Sequence, residues 1–229
     1  MIEVERIAIV RIKEELDVLY SRVNPPYGVI PKWHAPAATD EEIAAVEKRL
    51  GIALPAEVKE VCKEFSGITD SAPYFMGEQF RFFQEKAAGV IGHESASFLE
   101  DNFRVNGIFP LNQWGVPDEI WNPRIEYCEV IEEYEESKAD GDAIESVVAY
   151  IGCVEGILSD ELFVHIGNSE SESVFIYLNA SSENFGAIYN VDASRSEAFL
   201  LVYKIADNYL DFIECIKKSL EIQLQSEGA

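Results

Sequence analysis

Residues 39–67 restrict the fold more than any other part of the sequence, because they contain signals for two helices and for the turn between them. Thr39-Asp40-Glu41-Glu42 is a capping box, in which the threonine hydroxyl accepts from an amide and the glutamate reaches back. Gly51 stands where a left-handed C-cap is expected, and Pro55 suits the first position of a second helix. The apolar stripes are Ile43, Val46 and Leu50, then Val58, Cys62 and Phe65. This stretch therefore predicts a helical hairpin with a very short connection.

Apolar residues at steps of three and four predict two further helices. One precedes the hairpin and is stopped by Asn24-Pro25-Pro26. The other closes the chain. The apolar face of the first is formed by Ile9, Ile12, Leu16, Leu19 and Val23, and that of the last by Val202, Ile205, Tyr209, Phe212, Ile216 and Leu220.

Segments rich in β-branched and aromatic residues lie between the hairpin and the closing helix and predict strands. They are residues 74–75, 80–83, 103–111, 147–151, 162–166, 174–178 and 187–191. Helices and strands do not alternate regularly along the chain. The predicted class is therefore α+β, with the helical hairpin and the C-terminal helix packed on a mostly antiparallel sheet.

The charge balance is the strongest compositional signal, since 42 acidic and 18 basic residues give a net charge of -24. Nucleic acid is not expected as a partner, because phosphate binding depends on clusters of Lys and Arg. A basic protein, a bound cation or solubility alone would each account for the acidity. No window offers the ~18 apolar residues of a membrane span, and the first residues lack the positive start of a secretory signal. We therefore expect a cytoplasmic protein.

The four cysteines, Cys62, Cys128, Cys153 and Cys215, lie too far apart for a disulfide framework or a zinc site. We expect all four to be reduced thiols. The three histidines, His34, His93 and His165, are also scattered, and neither a two-histidine metalloprotease motif nor a nucleophile elbow nor a P-loop is present. We therefore predict no catalytic, cofactor-binding or metal-binding residue and no enzymatic activity.

The segment 126–142 carries -7 of the net charge, with eight carboxylates against one lysine. Its apolar residues keep a helical step, which predicts a helix with one acidic face. Two tryptophans precede it, and aromatic anchors rimmed by charge are typical of interface hot spots. The candidate partner-binding residues are Trp114, Trp121, Glu129, Glu132, Glu133 and Glu136. Core packing of each tryptophan and a merely solvated acidic face remain alternatives.

Two stretches together resemble the SUKH superfamily, which includes bacterial immunity proteins and fungal cell-wall synthesis regulators. The first runs from Thr39 through Leu50-Gly51 and Leu54-Pro55 to Phe65-Ser66-Gly67 and is similar to the opening hairpin of the family. The second comprises residues 163–166, Phe175-Ile176-Tyr177-Leu178 and Gly186-Ala187-Ile188-Tyr189 and resembles its paired strands, with a closing helix at 205–213. On this basis we expect one SUKH-like domain over residues 1–229. It has an N-terminal helical extension (1–38) and an enlarged acidic middle region (about 74–160).

The resemblance implies a binding role, and it carries over no catalytic residue. Our leading hypothesis is an immunity protein that neutralises a bacterial toxin, with the acidic surface docking on a basic toxin domain such as a nuclease. A regulatory scaffold of the cell-wall-synthesis-regulator type is the alternative. A carboxylate-based hydrolase is the second alternative. The support for it is weak, because among 42 carboxylates some pair will lie within catalytic reach by chance.

Overall fold

The structure, a computed structural model, gives bounds for four α-helices and seven β-strands. It describes residues 2–22, 33–68, 74–76, 102–115, 136, 147–151, 162–169, 172–192 and 199–227. The helices are α1 (Ile2–Arg22), α2 (Asp40–Leu50), α3 (Ala56–Glu64) and α4 (Tyr209–Glu227). The strands are β1 (Tyr74–Met76), β2 (Asn102–Ile108), β3 (Val147–Ile151), β4 (Phe163–Ser169), β5 (Glu172–Tyr177), β6 (Ile188–Asp192) and β7 (Phe199–Ala206).

The helical hairpin forms as its local signals predict. The Thr39 hydroxyl accepts from the amide of Glu42 at 3.2 Å, and the Glu42 carboxylate accepts from the amide of Thr39 at 2.7 Å. Gly51 ends α2 in the left-handed region with φ of 72°. Pro55 is the residue just before α3 instead of its first helical residue. Gly67 follows the hairpin and permits a close approach, since a Cβ there would lie 2.6 Å from the carbonyl oxygen of Ile108.

The seven strands form one mixed sheet in the order β1-β2-β4-β5-β6-β7-β3. Every neighbouring pair is antiparallel except β3 and β7, which pair in parallel from Val147↔Phe199 to Ile151↔Tyr203. The prediction of an α+β fold with a mostly antiparallel sheet is therefore confirmed. The strand predicted at 80–83 lies outside the described residues.

The central strands are buried on both faces. Val174 and Ile176 of β5 belong to the core cluster shared with α3 and α4. Phe175, which lies between them and so points to the other face, is also fully buried. It stacks on Phe163 of β4 with ring centroids 4.4 Å apart, and Phe163 also meets Tyr189 of β6 edge to face. Burial on both faces explains why these strands read as nearly continuous apolar runs.

The predicted start of the closing helix is wrong. Val202 and Ile205 belong to strand β7, and α4 begins only at Tyr209. Asn208 caps this helix, because its side-chain oxygen accepts from the amide of Asp211 at 2.9 Å. The Asp211 carboxylate in turn accepts from the Asn208 side-chain amide at 2.7 Å. This local pair fixes the boundary between strand and helix.

Helix α1 packs against α3 and α4 through the predicted apolar face. Ile9, Ile12 and Leu16 are buried there. Its C-terminal end is held by Trp33, whose indole nitrogen donates to Asp17 at 2.7 Å and whose ring stacks on Tyr20 at 4.9 Å. Trp33 is thus a core residue, of which only 6% is exposed.

Lys217 of α4 joins α1 to the rest of the fold. Its ammonium lies 2.7 Å from the Glu15 carboxylate and 2.8 Å from that of Glu214. The hydrogen bond from Lys217, followed by that from Arg11, holds the pKa of Glu15 below its ordinary value of 4.5. The charged form of Glu15 is therefore favoured by folding. Its contribution to stability is present above pH 4.5 and is lost as the pH falls through the lowered pKa.

Replacing Lys217 with methionine should lower the free energy of unfolding by roughly 0.5–1 kcal/mol at neutral pH, because the side-chain stem is kept and the ion pairs are lost. The difference from the unsubstituted protein should shrink at an acidic pH below the lowered pKa of Glu15, where this carboxyl is protonated and no longer pairs with Lys217. Urea unfolding at the two pH values measures this. Lys218→Met, an exposed neighbour on α4, is the control and should change little. An equal loss at both pH values would contradict the ion-pair explanation.

Removing the hydroxyl of Tyr209 should leave the protein as stable or stabilise it by up to ~1 kcal/mol. The side chain is fully buried, and its hydroxyl has no hydrogen-bond partner within the described part of the chain. Thermal melting of Tyr209→Phe should therefore show an unchanged Tm or a rise of ~2–4 °C. Tyr209→Ala, which also removes the ring, should cost ~3–5 kcal/mol. A clear loss of stability in the phenylalanine variant would reveal a hydrogen bond to the hydroxyl.

Candidate protein-binding surface

Trp114 is buried in the core, so the hypothesis that its ring contacts a partner needs correction. The side chain is 0% exposed, its ring meets that of Tyr209 edge to face at 5.4 Å, and its indole nitrogen donates to the carbonyl of Phe109 at 2.9 Å. A tryptophan with both its face and its polar atom engaged offers no surface to another protein. The alternative of core packing, which the sequence left open, is the one that the structure shows.

The backbone around Trp114 is fixed by groups from two other elements. The Arg49 guanidinium of α2 donates to the carbonyls of Asn112 and Trp114 at 2.9 and 2.7 Å. The amide of Gly115 donates to the carbonyl of His165 on β4 at 2.9 Å. These bonds hold the backbone of residues 112–115 beside the end of α2 and β4.

Of the other candidate residues, the structure describes only Glu136. This residue is helical and exposed, as the predicted acidic helix requires of it. Trp121, Glu129, Glu132 and Glu133 lie outside the described residues, so their grouping stays a prediction.

The hairpin carries a described part of the acidic surface. Asp40, Glu41 and Glu42 occupy the first turn of α2 and are all exposed, a position that the helix dipole favours for carboxylates. Lys63 of α3 lies 3.2 Å from the carboxylates of Asp40 and Glu60, which partly neutralises this end. Those hydrogen bonds raise the pKa of Lys63.

Glu47 serves the hairpin and not the surface. Its carboxylate accepts from the amide of Leu54 at 2.8 Å and from Lys59 at 3.0 Å. Partial burial tends to raise its pKa, but the bonds from Lys59 and Leu54 outweigh burial and lower it. Glu47 is therefore a charged structural group that ties the turn to α3.

The described histidines and cysteines have structural surroundings. His34 is buried beside Trp33 and its Nδ1 lies 2.8 Å from the carbonyl of Ala35. His165 lies 3.0 Å from the side-chain oxygen of Asn168, and burial lowers its pKa. Cys62 is buried and free, and burial raises the pKa of its thiol to about 12, which makes it unreactive. No group of three or more potential metal ligands occurs in the ranges that the structure describes.

One surface feature escaped the sequence analysis, which assigned α1 only a buried face. Ile7 and Val18 are 62% and 60% exposed on the opposite side of that helix. The sequence did contain a signal for their exposure, because Ile7 and Val18 are each two residues from the buried Ile9 and Leu16 and so lie on the opposite side of the helix.

Within the described part of the chain, no helix is long and apolar enough to cross a membrane.

The comparison with protein families identifies a family that this chain matches. Residues 37–215 match the SMI1 / KNR4 family (SUKH-1). No curated protein matches the chain. Members of the family are generally non-enzymatic immunity or regulatory proteins that act through protein interactions. The match spans well over half of the 229 residues and includes the hairpin, all seven strands and the first part of α4. The resemblance to the SUKH superfamily is therefore confirmed, and the chain belongs to the SMI1/KNR4 family (SUKH-1).

Proposed function

We propose that this protein is an immunity protein that neutralises a bacterial toxin by docking an acidic surface on a basic toxin domain. A nuclease domain fits best, because a phosphate-binding cleft lined by Lys and Arg is the natural complement of such a surface. The proposal goes beyond family membership in naming the chemistry of the partner. It includes a cytoplasmic location, the compartment in which a nuclease toxin reaches its substrate.

The distribution of charge carries the proposal. Before residue 37, five acidic and five basic residues cancel, and after residue 215 two of each cancel. The family-matched stretch 37–215 therefore carries the whole net charge of -24. General solubility needs no such concentration of charge in one part of a chain. A binding domain with a charged partner does.

The concentrated charge acts on the association rate. Complementary potentials steer a basic partner towards the acidic surface over about a Debye length, which is ~8 Å at physiological salt. Within the domain, residues 126–142 hold the densest acidic sequence, and Glu136 in this segment is exposed. We therefore place the contact on the predicted acidic face, with Trp121 as its aromatic anchor.

The proposal predicts a rate effect for the quadruple variant Glu129→Gln, Glu132→Gln, Glu133→Gln and Glu136→Gln. Association with the basic toxin domain that the protein is proposed to neutralise should slow by at least ~10-fold at low salt and lose much of its salt dependence. Stability should be unchanged or slightly higher, since repulsion between carboxylates three or four residues apart is removed. Stopped-flow association at several salt concentrations, together with protection of growth in cells that express the toxin, measures both outcomes.

A matched control removes four charges elsewhere: Glu41→Gln, Glu64→Gln, Glu183→Gln and Glu221→Gln. None of these glutamates makes an ion pair within the described residues, and the change in net charge is identical. The control should slow association only slightly. Equal slowing in both variants would mean that net charge, and not the acidic face, drives binding. If neither variant changes the association kinetics, the acidic face is not the binding surface. If the protein protects cells against no toxin, the regulatory scaffold is the better explanation of its function.

A further inference from the structure

The outer side of α1 carries a narrow stripe of four residues, Ile7, Arg11, Glu14 and Val18, hereafter the α1 stripe. All four are exposed and follow one another at steps of four, three and four, which places them on one line along the helix. At 100° per residue this line lies roughly opposite the buried residues Ile9 and Leu16. The α1 stripe therefore faces away from the body of the protein.

The α1 stripe is unusual in two respects. Ile7 and Val18 are two of three exposed large hydrophobic side chains among the described residues, and they lie about 16 Å apart along the helix. The stripe also belongs to the segment before residue 37, where acidic and basic residues are equal in number. It is thus a neutral, partly apolar surface on a protein of net charge -24.

The order of residues along the α1 stripe is self-complementary. In an antiparallel pair of identical helices related by a two-fold axis between residues 12 and 13, position 7 faces position 18 and position 11 faces position 14. Ile7 then meets Val18 of the second copy, and Arg11 meets Glu14 of the second copy, each contact occurring twice. The sequence extends this symmetry, with Glu3 four residues before Ile7 and Arg22 four residues after Val18.

We propose that the α1 stripe is the interface of a homodimer in which two copies of this chain pack their first helices antiparallel. When the α1 stripe is paired with an antiparallel copy of itself, apolar residues face apolar residues and opposite charges face each other. Binding to a different partner would not require this symmetry. Arg11 already donates through Nε to Glu15 at 2.8 Å, and its other N–H groups remain for a carboxylate of the second copy. The adjoining acidic bodies repel, so the neutral α1 stripe is the part through which two copies can approach.

The dimer should be weak. A single pair of helices buries less than the roughly 1,200 Å² of a standard interface, and its ion pairs are exposed to solvent. We expect a dissociation constant on the order of 10–100 μM. The family-matched domain should keep its own fold and acidic surface in either state, so the inference does not depend on the proposed toxin partner.

Charge exchange across the two-fold axis tests the proposal on the full chain. Arg11→Glu places a carboxylate against Glu14 of the second copy, and Glu14→Arg places a guanidinium against Arg11 of the second copy, each twice per dimer. Each single variant should weaken dimerisation by at least ~10-fold. The double variant exchanges both members and should restore the dissociation constant to within ~3-fold. Sedimentation equilibrium over a range of concentrations measures all four proteins.

Controls with the same change in charge are Lys48→Glu and Glu41→Arg on α2, both exposed and away from the stripe. They should leave the dissociation constant unchanged. Melting curves show whether the loss of the Arg11–Glu15 pair affects the fold, independently of association. An unsubstituted protein that stays monomeric at several hundred micromolar overturns the dimer. A dimer whose single variants are unaffected, or whose double variant is not restored, overturns the antiparallel α1 interface.

Discussion

Trp114 is the residue at which α2, β4 and α4 meet. Its ring packs on Tyr209 of α4, its carbonyl accepts from Arg49 of α2, and the next amide bonds to β4. A buried ring of this size excludes water from the junction, so each polar group of the connector must find a protein partner. Arg49 supplies two of these bonds from one planar group, which a lysine could not reproduce. The relative positions of hairpin, sheet and closing helix depend on this junction.

The parts of the fold that the sequence predicts well are those with local causes. The hairpin follows from a capping box and a left-handed glycine, and both operate within a few residues. The start of α4 was mistaken because Val202 and Ile205 continue the helical period of Tyr209 and Phe212. Their strand conformation depends on the pairing of β7 with β6, the preceding strand, and with β3, which is distant in sequence. Periodicity alone cannot show such pairing, although the Asn208–Asp211 pair marked the boundary locally.

The candidate site was predictable in its charge but not in its anchors. Acidic residues can be counted from the sequence, and the exposed helical position of Glu136 agrees with the pattern. A tryptophan is different, because the same large apolar ring serves a core or an interface equally well. Only the positions of Tyr209 and Phe109 around Trp114 decide between the two.

The two surfaces inferred for this protein depend on the same separation of charge. A body with all of the net charge repels copies of itself and attracts basic proteins, whereas the α1 stripe, with one arginine and one glutamate, is neutral and does neither at long range. Because α1 is fixed to α4 through Lys217 and Glu15, a dimer built on it would hold two acidic bodies in a defined arrangement. Each body could then bind its own partner, and a multimeric basic partner would be bound at two points at once. Linked sites raise apparent affinity without any new contact, provided that the geometry allows both to be filled. The α1 stripe would thus increase the effectiveness of the acidic surface without taking part in its chemistry.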